Sequence, residues 1–126
     1  MPYLVDSDVL IDFSRGNTAA RDYINVLPES WVISQISALE LIVGARDNRD
    51  LARIDAFLSA CVTVPLHPSI GRQAYELLKR HSKSHGLHVF DSLIAATAIQ
   101  GDLTVVTRNR KHFEMISGLK LEVPQY

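Results

Sequence analysis

The stretch "YLVDSDVLIDF", residues 3–13, decides the fold, because an apolar run meets two aspartates and then continues as a second apolar run. Its first part, "YLVD" at 3–6, is typical of a buried strand. Ser7 or Asp8 can then cap a helix whose apolar side chains face inward until Gly16 ends it. The stretch therefore predicts a strand-to-helix turn that carries carboxylates in apolar surroundings.

The rest of the chain repeats this alternation of short β-branched runs and longer amphipathic runs, which is the pattern of strands and crossover helices. Further strands are expected at 31–34, 61–66, 103–107 and 119–123, and helices at 18–27, 37–45, 49–60, 69–85, 90–101 and 110–116. The sequence thus predicts an α/β fold with three α/β/α layers around a central parallel sheet of four to five strands. We expect one domain over 1–126, which is the usual size of a single domain.

Composition narrows the class of protein. Hydrophobic residues make up 47% of the 126 and charged residues 21%, which suits a globular chain with one core. The apolar runs are far shorter than the roughly 20 residues that cross a bilayer, and no signal-peptide pattern opens the chain, so we expect a cytoplasmic protein without a membrane role. The net charge of −1 neither requires nor excludes a nucleic-acid partner.

Polar side chains stand where the predicted strands end, and in sheets of this type ligand sites form just outside the carboxyl ends of the strands. Asp6 ends the first strand, Glu40 follows the second, Asp91 opens the helix before the fourth, and Asn109 comes after the fourth. Acids brought together in a partly desolvated cleft raise one another's pKa. A hard divalent cation such as Mg²⁺ or Mn²⁺ relieves that repulsion and prefers carboxylate oxygens.

Each acid also has a purely structural explanation when it is taken alone. Asp6 and Asp8 can cap the first helix, and Asp91 suits a helix N-terminus. The sequence "SALE" is a capping box in which Glu40 would bond back to the Ser37 amide. The metal-site hypothesis rests on all the acids occurring at one sheet edge.

Four segments in this order resemble the PIN domain, and in size and order a VapC-type toxin: "VDSDVLID" (5–12), "SALELIVGA" (37–45), "FDSLIAATA" (90–98) and "TRNRKHFE" (107–114). The resemblance covers essentially the whole chain. It implies a metal-dependent endoribonuclease of a type II toxin-antitoxin system. It also implies a VapB-like antitoxin as partner, a homodimer, and a heterotetramer or larger assembly with the antitoxin.

By this resemblance the catalytic residues are Asp6, Glu40, Asp91 and Asn109, and the first three hold the Mg²⁺ or Mn²⁺ ion. The ion would activate water to hydrolyse RNA phosphodiester bonds. Asn109 departs from the acidic version of the motif, and Asp8 stands where a neutral polar residue is more usual. The loss of one charge weakens any second metal site, so the sequence leaves one or two ions open.

Further polar residues surround the predicted cleft. Ser7, Asp8 and Thr107 are candidates for positioning water or phosphate. Arg108 and Arg110, with Lys111, are predicted to bind the RNA backbone.

A second cationic stretch at 79–88 contains His81, His85 and His88 at spacings that can bind zinc, but no fourth ligand follows, and RNA contact suits it better. Its three histidines have no assigned function from the sequence.

Two other functions remain open at this point. "DSDVL" resembles the loop of haloacid dehalogenase-like phosphatases, in which Asp6 would be the nucleophile. That chemistry also needs an acidic pair after a later strand, where this chain reads "TRN". A non-catalytic module that binds RNA or protein is the other alternative. No base-reading motif is visible, so neither the class of RNA nor its cleavage position follows from the sequence.

Overall fold

The protein is described by a computed structural model that covers residues 2–126, so Met1, the first residue of the predicted domain, lies outside the described residues. The strands are β1 (Tyr3–Val5), β2 (Trp31–Ser34), β3 (Thr63–Val64), β4 (Thr104–Val106) and β5 (Lys120–Glu122). The helices are α1 (Ser7–Ser14), α2 (Thr18–Asn25), α3 (Gln35–Val43), α4 (Asn48–Ser59), α5 (Pro68–His85) and α6 (Val89–Gly101). In this part of the chain no helix is both long and apolar enough to span a membrane.

The strands of residues 2–126 form one five-stranded sheet in the order β3-β2-β1-β4-β5, with every neighbouring pair parallel. Tyr3 of β1 pairs with Trp31 on one side and with Thr104 on the other. Because β1 is central, the residue that follows it lies between the ends of β2 and β4. The parallel α/β architecture confirms the prediction.

Two hydrophobic cores cover the two faces of the sheet. Leu4 and Val105 belong to the core beneath α5 and α6, whereas their neighbours Val5 and Val106 belong to the core on the side of α1 to α4. Successive side chains of a strand point to opposite faces, so strands buried on both faces read as unbroken apolar runs. This arrangement confirms the three-layer α/β/α prediction.

Most element boundaries lie within two residues of the prediction, and two elements differ more in length. The helix expected at 110–116 is wrong, since only Arg110–His112 forms a single 3-10 turn. One α-helical bond follows, from the Glu114 N–H to the Arg110 carbonyl, but the bonds from Phe113 N–H to Arg110 and from Ile116 N–H to Phe113 have i to i+3 spacing, so the α-helix is not continued. Strand β3 has two residues instead of the expected six, and it ends where Pro65 has no N–H to continue the ladder.

Candidate active site

The carboxyl ends of β1, β2 and β4 open into a cavity of about 320 Å³. Its walls consist of Asp6, Ser7, Asp8, Ile11, Glu40, His88, Phe90, Asp91, Asn109 and His112. The fold thus brings the four predicted catalytic residues to one cavity, although they are separated by up to 103 positions in the chain. Thr107, also singled out from the sequence, is buried directly behind the acidic wall.

Asp6 is the most buried acid of the cavity, with 6% of its surface exposed. Its Oδ1 accepts a hydrogen bond of 2.8 Å from the Ser7 amide, which makes it the N-cap of α1, and its Oδ2 accepts one of 2.8 Å from the Thr107 hydroxyl. Burial raises the pKa of Asp6 to about 7, and the charges of Asp8 and Asp91 add to the rise. Asp6 therefore caps α1 and at the same time has a raised pKa.

Glu40 faces the cavity from α3, and it does not form the capping box. The helix begins at Gln35 with Ser34 as its N-cap, so Ser37 lies inside the helix and is fully buried. The Glu40 Oε1 instead accepts a hydrogen bond of 2.8 Å from the Ser7 hydroxyl, and the Ser37 hydroxyl lies 2.9 Å from that same oxygen of Ser7. The capping-box explanation of Glu40 is therefore wrong, and α1 and α3 are joined at the cavity.

Asp8 and Asn109 contact each other across the cavity mouth. The Asn109 amide Nδ2 donates to Asp8 Oδ2 at 3.2 Å, and the Arg108 backbone N–H donates to the same oxygen at 3.0 Å. Asp8 lies in the first turn of α1 and also accepts from the Val9 amide. The N-cap is Asp6, so the prediction that Ser7 or Asp8 caps this helix is wrong. Burial nevertheless raises the pKa of Asp8, so it adds an acid to the wall next to the position where Asn109 lacks one.

Asp91 lies in the first turn of α6 beside two histidines. The His112 Nδ1 is 3.3 Å from Asp91 Oδ2, and the rings of His88 and His112 meet edge to face at 6.3 Å between centroids. Burial raises the pKa of Asp91, while the two histidines oppose the rise. The acidic wall is thus bordered on one side by the imidazole rings of His88 and His112.

The donor set of the cavity suits a hard cation. Four carboxylates, from Asp6, Asp8, Glu40 and Asp91, line one small space, and the pKa of three of them is raised by burial or mutual repulsion. Within residues 2–126, no three His, Cys, Asp or Glu side chains are grouped closely enough to form a preformed metal site. Glu40 is held by Ser7 and Asp91 by His112, and both carboxylates line the same cavity as Asp6, so these three acids are the residues that would hold a cation.

The predicted RNA-binding cations near the cavity are partly committed to contacts within the protein. The Arg108 guanidinium pairs with Asp12 at 3.2 Å and stacks on the Tyr126 ring at 4.9 Å. Arg110 lies 3.6 Å from Glu114 in an exposed i, i+4 pair. Lys111 is exposed and has no ion-pair partner among the described residues. Of the three cations, only Lys111 is fully available to a ligand.

The three histidines of 79–88 do not act as one group. His81 is buried in α5 and meets His85 edge to face at 5.7 Å, while His88 pairs with His112 at the cavity. Burial lowers the pKa of His81, so its neutral form is favoured in the helix. This placement gives no support to the zinc hypothesis.

Sequence reasoning missed several residues that shape the cavity. Ser37 supports Ser7, but in the sequence it was indistinguishable from a helix cap. Asp12 binds both Arg108 and the Tyr126 hydroxyl, which lies 2.9 Å away, and that link to the last residue of the chain has no local sequence signal. His88 was assigned to a cationic stretch, whereas the turn after α5 places it in the cavity wall.

Two ribonucleases of Mycobacterium tuberculosis are similar to this chain over most of both sequences. Ribonuclease VapC19 is 36% identical over 121 residues, covering 93% of this chain and 96% of that protein. Ribonuclease VapC10 is 39% identical over 122 residues, covering 93% and 90%. The tRNA(fMet)-specific endonuclease VapC of Shigella flexneri is 27% identical and covers 97% of each chain.

The solved structures that are similar to this chain include toxin-antitoxin and VapBC complexes. A toxin-antitoxin complex from Klebsiella pneumoniae contains a chain that is 28% identical with a TM-score of 0.81, covering 98% of both chains. The DNA-bound VapBC structure from Salmonella typhimurium matches at 26% identity and a TM-score of 0.84 over 99% of both chains. The family model of the PIN domain matches residues 3–118. Together with the acidic cavity at the ends of the parallel strands, these similarities show that the chain belongs to the PIN domain family.

Proposed function

We propose that this protein is a metal-dependent endoribonuclease that acts in the cytoplasm as the toxin of a VapBC-type toxin-antitoxin system. The observation that carries the proposal is the convergence of Asp6, Glu40 and Asp91 on one cavity, with the pKa of Asp6 raised to about 7. The similarity to ribonucleases over 93% of the chain supports the reaction class. Neither the cavity nor these relatives favour the phosphatase or the non-catalytic alternative.

Asp6 and Asp91, with Glu40, are the residues that would hold Mg²⁺ or Mn²⁺, and Asp8 adds a fourth carboxylate beside them. When bound, the cation supplies an activated water and neutralises charge on the phosphodiester. We assign Asn109 to the fourth catalytic position as a neutral amide, so this chain carries its extra acid on α1 instead. One tight ion site is the consequence we propose.

The neighbouring side chains orient these acids. Thr107 donates its hydroxyl proton to Asp6 and accepts the Asn109 backbone N–H at 3.0 Å, which fixes the loop after β4 against the carboxylate. Ser7 fixes Glu40 in the same way from α1. The two hydroxyls thus fix the orientation of two carboxylates that line the cavity, where a phosphate of the RNA would enter.

The antitoxin would bind an apolar groove of about 350 Å³ next to the acidic cavity. Ile36, Leu39, Val43 and Phe90 line this groove, and Glu40 and Phe90 also line the acidic cavity. Val43 is 85% exposed and Phe90 is 52% exposed, which leaves a large apolar surface uncovered. A basic side chain of an antitoxin segment in this groove would reach the acids and inhibit by charge pairing. We propose a homodimer that forms a heterotetramer or larger assembly with the antitoxin.

Expression in a bacterial host tests the proposed function. The wild-type chain should arrest growth, whereas Asp6→Asn should not, because the variant lacks one carboxylate of the site. Asp102→Asn serves as the control, since this exposed acid pairs with Lys120 away from the cavity. Equal growth of wild type and Asp6→Asn, at equal amounts of folded protein, would contradict the toxin assignment.

A further inference from the structure

We propose that a second cationic surface, formed by Arg15, Arg21, Arg46, Arg49 and Arg53, binds backbone phosphates of the RNA on one side of the scissile bond. This arginine surface lies where the end of α1, the start of α2 and the start of α4 meet. Two cavities of about 420 and 400 Å³ open there. The inference rests on the proposed ribonuclease function and assigns part of its substrate path.

Charge makes the arginine surface a binding site for an anion. Five arginines line these two cavities together with two acids, Asp47 and Asp50. Asp50 is already saturated, because Arg53 pairs with it at 2.9 Å and Arg46 at 3.5 Å, while Asp47 caps α4 through the Asp50 amide. The surface therefore keeps an excess of positive charge after its internal pairs are formed.

Three of the arginines are free to bind a ligand. Arg15, Arg21 and Arg49 are exposed, and within residues 2–126 no carboxylate pairs with any of them. By contrast, two of the three cations predicted from the sequence to bind RNA pair with acids of this chain. Among the described residues, the arginine surface thus has three unpaired cations, whereas the predicted RNA-binding residues beside the acidic cavity have one, Lys111.

The backbone at the end of α1 holds Arg15 in place. Gly16 has a positive φ of 82°, and the Gly16 and Asn17 amides donate back to the Phe13 and Asp12 carbonyls, which is a Schellman motif. The Arg53 guanidinium donates to the Ser14 carbonyl at the same helix end. The chain therefore turns sharply after Arg15 and carries Arg21 to the same surface.

A narrow cleft of about 40 Å³ lies between this surface and the acidic cavity. Ser14 and Arg15 line both the cleft and the arginine surface, and Ile11 and Glu40 line both the cleft and the acidic cavity. Asp6 and Arg15 stand at the two ends of α1, about 13 Å apart at 1.5 Å per residue. A strand with one phosphate at the acids would present another to the arginines a few nucleotides away.

Phosphate is the ligand chemistry that fits this surface best. A guanidinium binds phosphate oxygens with two parallel hydrogen bonds and stays charged at every physiological pH. The described lining of the cavity that contains Arg15 and Arg21 has no aromatic side chain on which a base could stack. We therefore assign this surface to the RNA backbone and not to base recognition.

The test is RNA binding by the full chain in EDTA, measured by fluorescence anisotropy with a labelled single-stranded RNA of about 12 nucleotides, a length within known single-strand site sizes. The variant is Arg15→Gln with Arg21→Gln, which breaks no ion pair. The control is Arg72→Gln with Lys120→Gln, which removes the same charge from two exposed positions outside every proposed RNA-binding segment and breaks only the exposed pair of Lys120 with Asp102. Circular dichroism verifies that both variants are folded.

Two lost phosphate contacts should lower the slope of log affinity against log salt by about 1.4 in the variant but not in the control. Between about 50 and 200 mM salt, the wild type should therefore lose about sevenfold more affinity than the variant. Equal slopes in wild type and variant, an equal loss in the control, or no RNA binding by the wild type would overturn the inference.

Two further measurements separate this inference from its competitors. If the wild type cleaves RNA with metal while the variant binds RNA normally, the arginine surface is not a phosphate site but the proposed function stands. If the variant loses affinity for an antitoxin and keeps its affinity for RNA, the surface binds protein, which also overturns the inference.

Discussion

Replacement of Asp6 by Asn separates the catalytic role of this acid from its effect on stability. Asp6 is nearly buried, and its pKa rises from 3.8 to about 7 in the folded protein. Because one pKa unit corresponds to about 1.4 kcal/mol, ionised Asp6 costs the folded state up to about 4 kcal/mol at a pH above 7. The metal-free wild type therefore contains a destabilising charge that Asn removes.

The net gain is smaller than that upper limit. Asn retains the oxygen that accepts the Ser7 amide, but its amide group faces the Thr107 hydroxyl, so one hydrogen bond to a charged acceptor, worth about 1.5–3 kcal/mol, is lost or reversed. We expect Asp6→Asn to be about 1–3 kcal/mol more stable at pH 8 without divalent ions. For a chain of this length that corresponds to a rise of about 4–12 °C in Tm.

The pH dependence fixes the sign of the effect. The folded-state pKa of Asp6 lies above its ordinary value, so the penalty is absent below about pH 4, grows as pH rises, and is complete above about pH 7. Urea unfolding of both proteins in EDTA should show stabilities that converge near pH 4 and diverge by pH 8. A variant that is less stable than wild type at pH 8, or a difference that does not change with pH, would refute this reasoning.

Three other changes have defined outcomes. Asn109→Asp adds a carboxylate next to Asp8 and should tighten Mn²⁺ binding in calorimetry relative to wild type and Asn109→Ala; weaker or unchanged affinity would make the fourth-position assignment wrong. Ser7→Ala removes the hydroxyl that holds Glu40, so it should strongly lower the cleavage rate while it lowers the free energy of unfolding in urea by only about 1–2 kcal/mol; a fully active variant would exclude this positioning contact. Light scattering should give the mass of a homodimer at micromolar concentration, and a monomeric mass would contradict the predicted assembly.

The α/β class was predictable from the sequence because the inner strands β1 and β4 are buried on both faces and read as unbroken apolar runs. Asp6, Glu40, Asp91 and Asn109 were found for a related reason, since each follows or faces the end of a strand and the topology then brings them together. That they are the catalytic residues stays a prediction.

The features that the sequence could not provide depend on contacts between distant segments. The Ser7 to Glu40 bond needed the packing of α1 on α3, and the local motif around Ser37 favoured a helix cap instead. The arginine surface combines residues in or next to three helices with no basic run among them, whereas in the basic run at 107–114 Arg108 and Arg110 pair with acids of this chain. Charge clustering in space was therefore invisible to a reading along the chain.

The most direct test of the central claim is cleavage of a defined single-stranded RNA by the purified protein, with Mg²⁺ or Mn²⁺ and with EDTA, in wild type and Asp91→Asn. We expect the wild type to cleave the RNA when Mg²⁺ or Mn²⁺ is present and not in EDTA, and we expect no cleavage by the folded variant. Because water and not the ribose hydroxyl is the proposed nucleophile, a 2′-deoxy substitution at the cleaved nucleotide should leave the cut in place. Equal cleavage in EDTA, or wild-type rates in Asp91→Asn, would contradict the account.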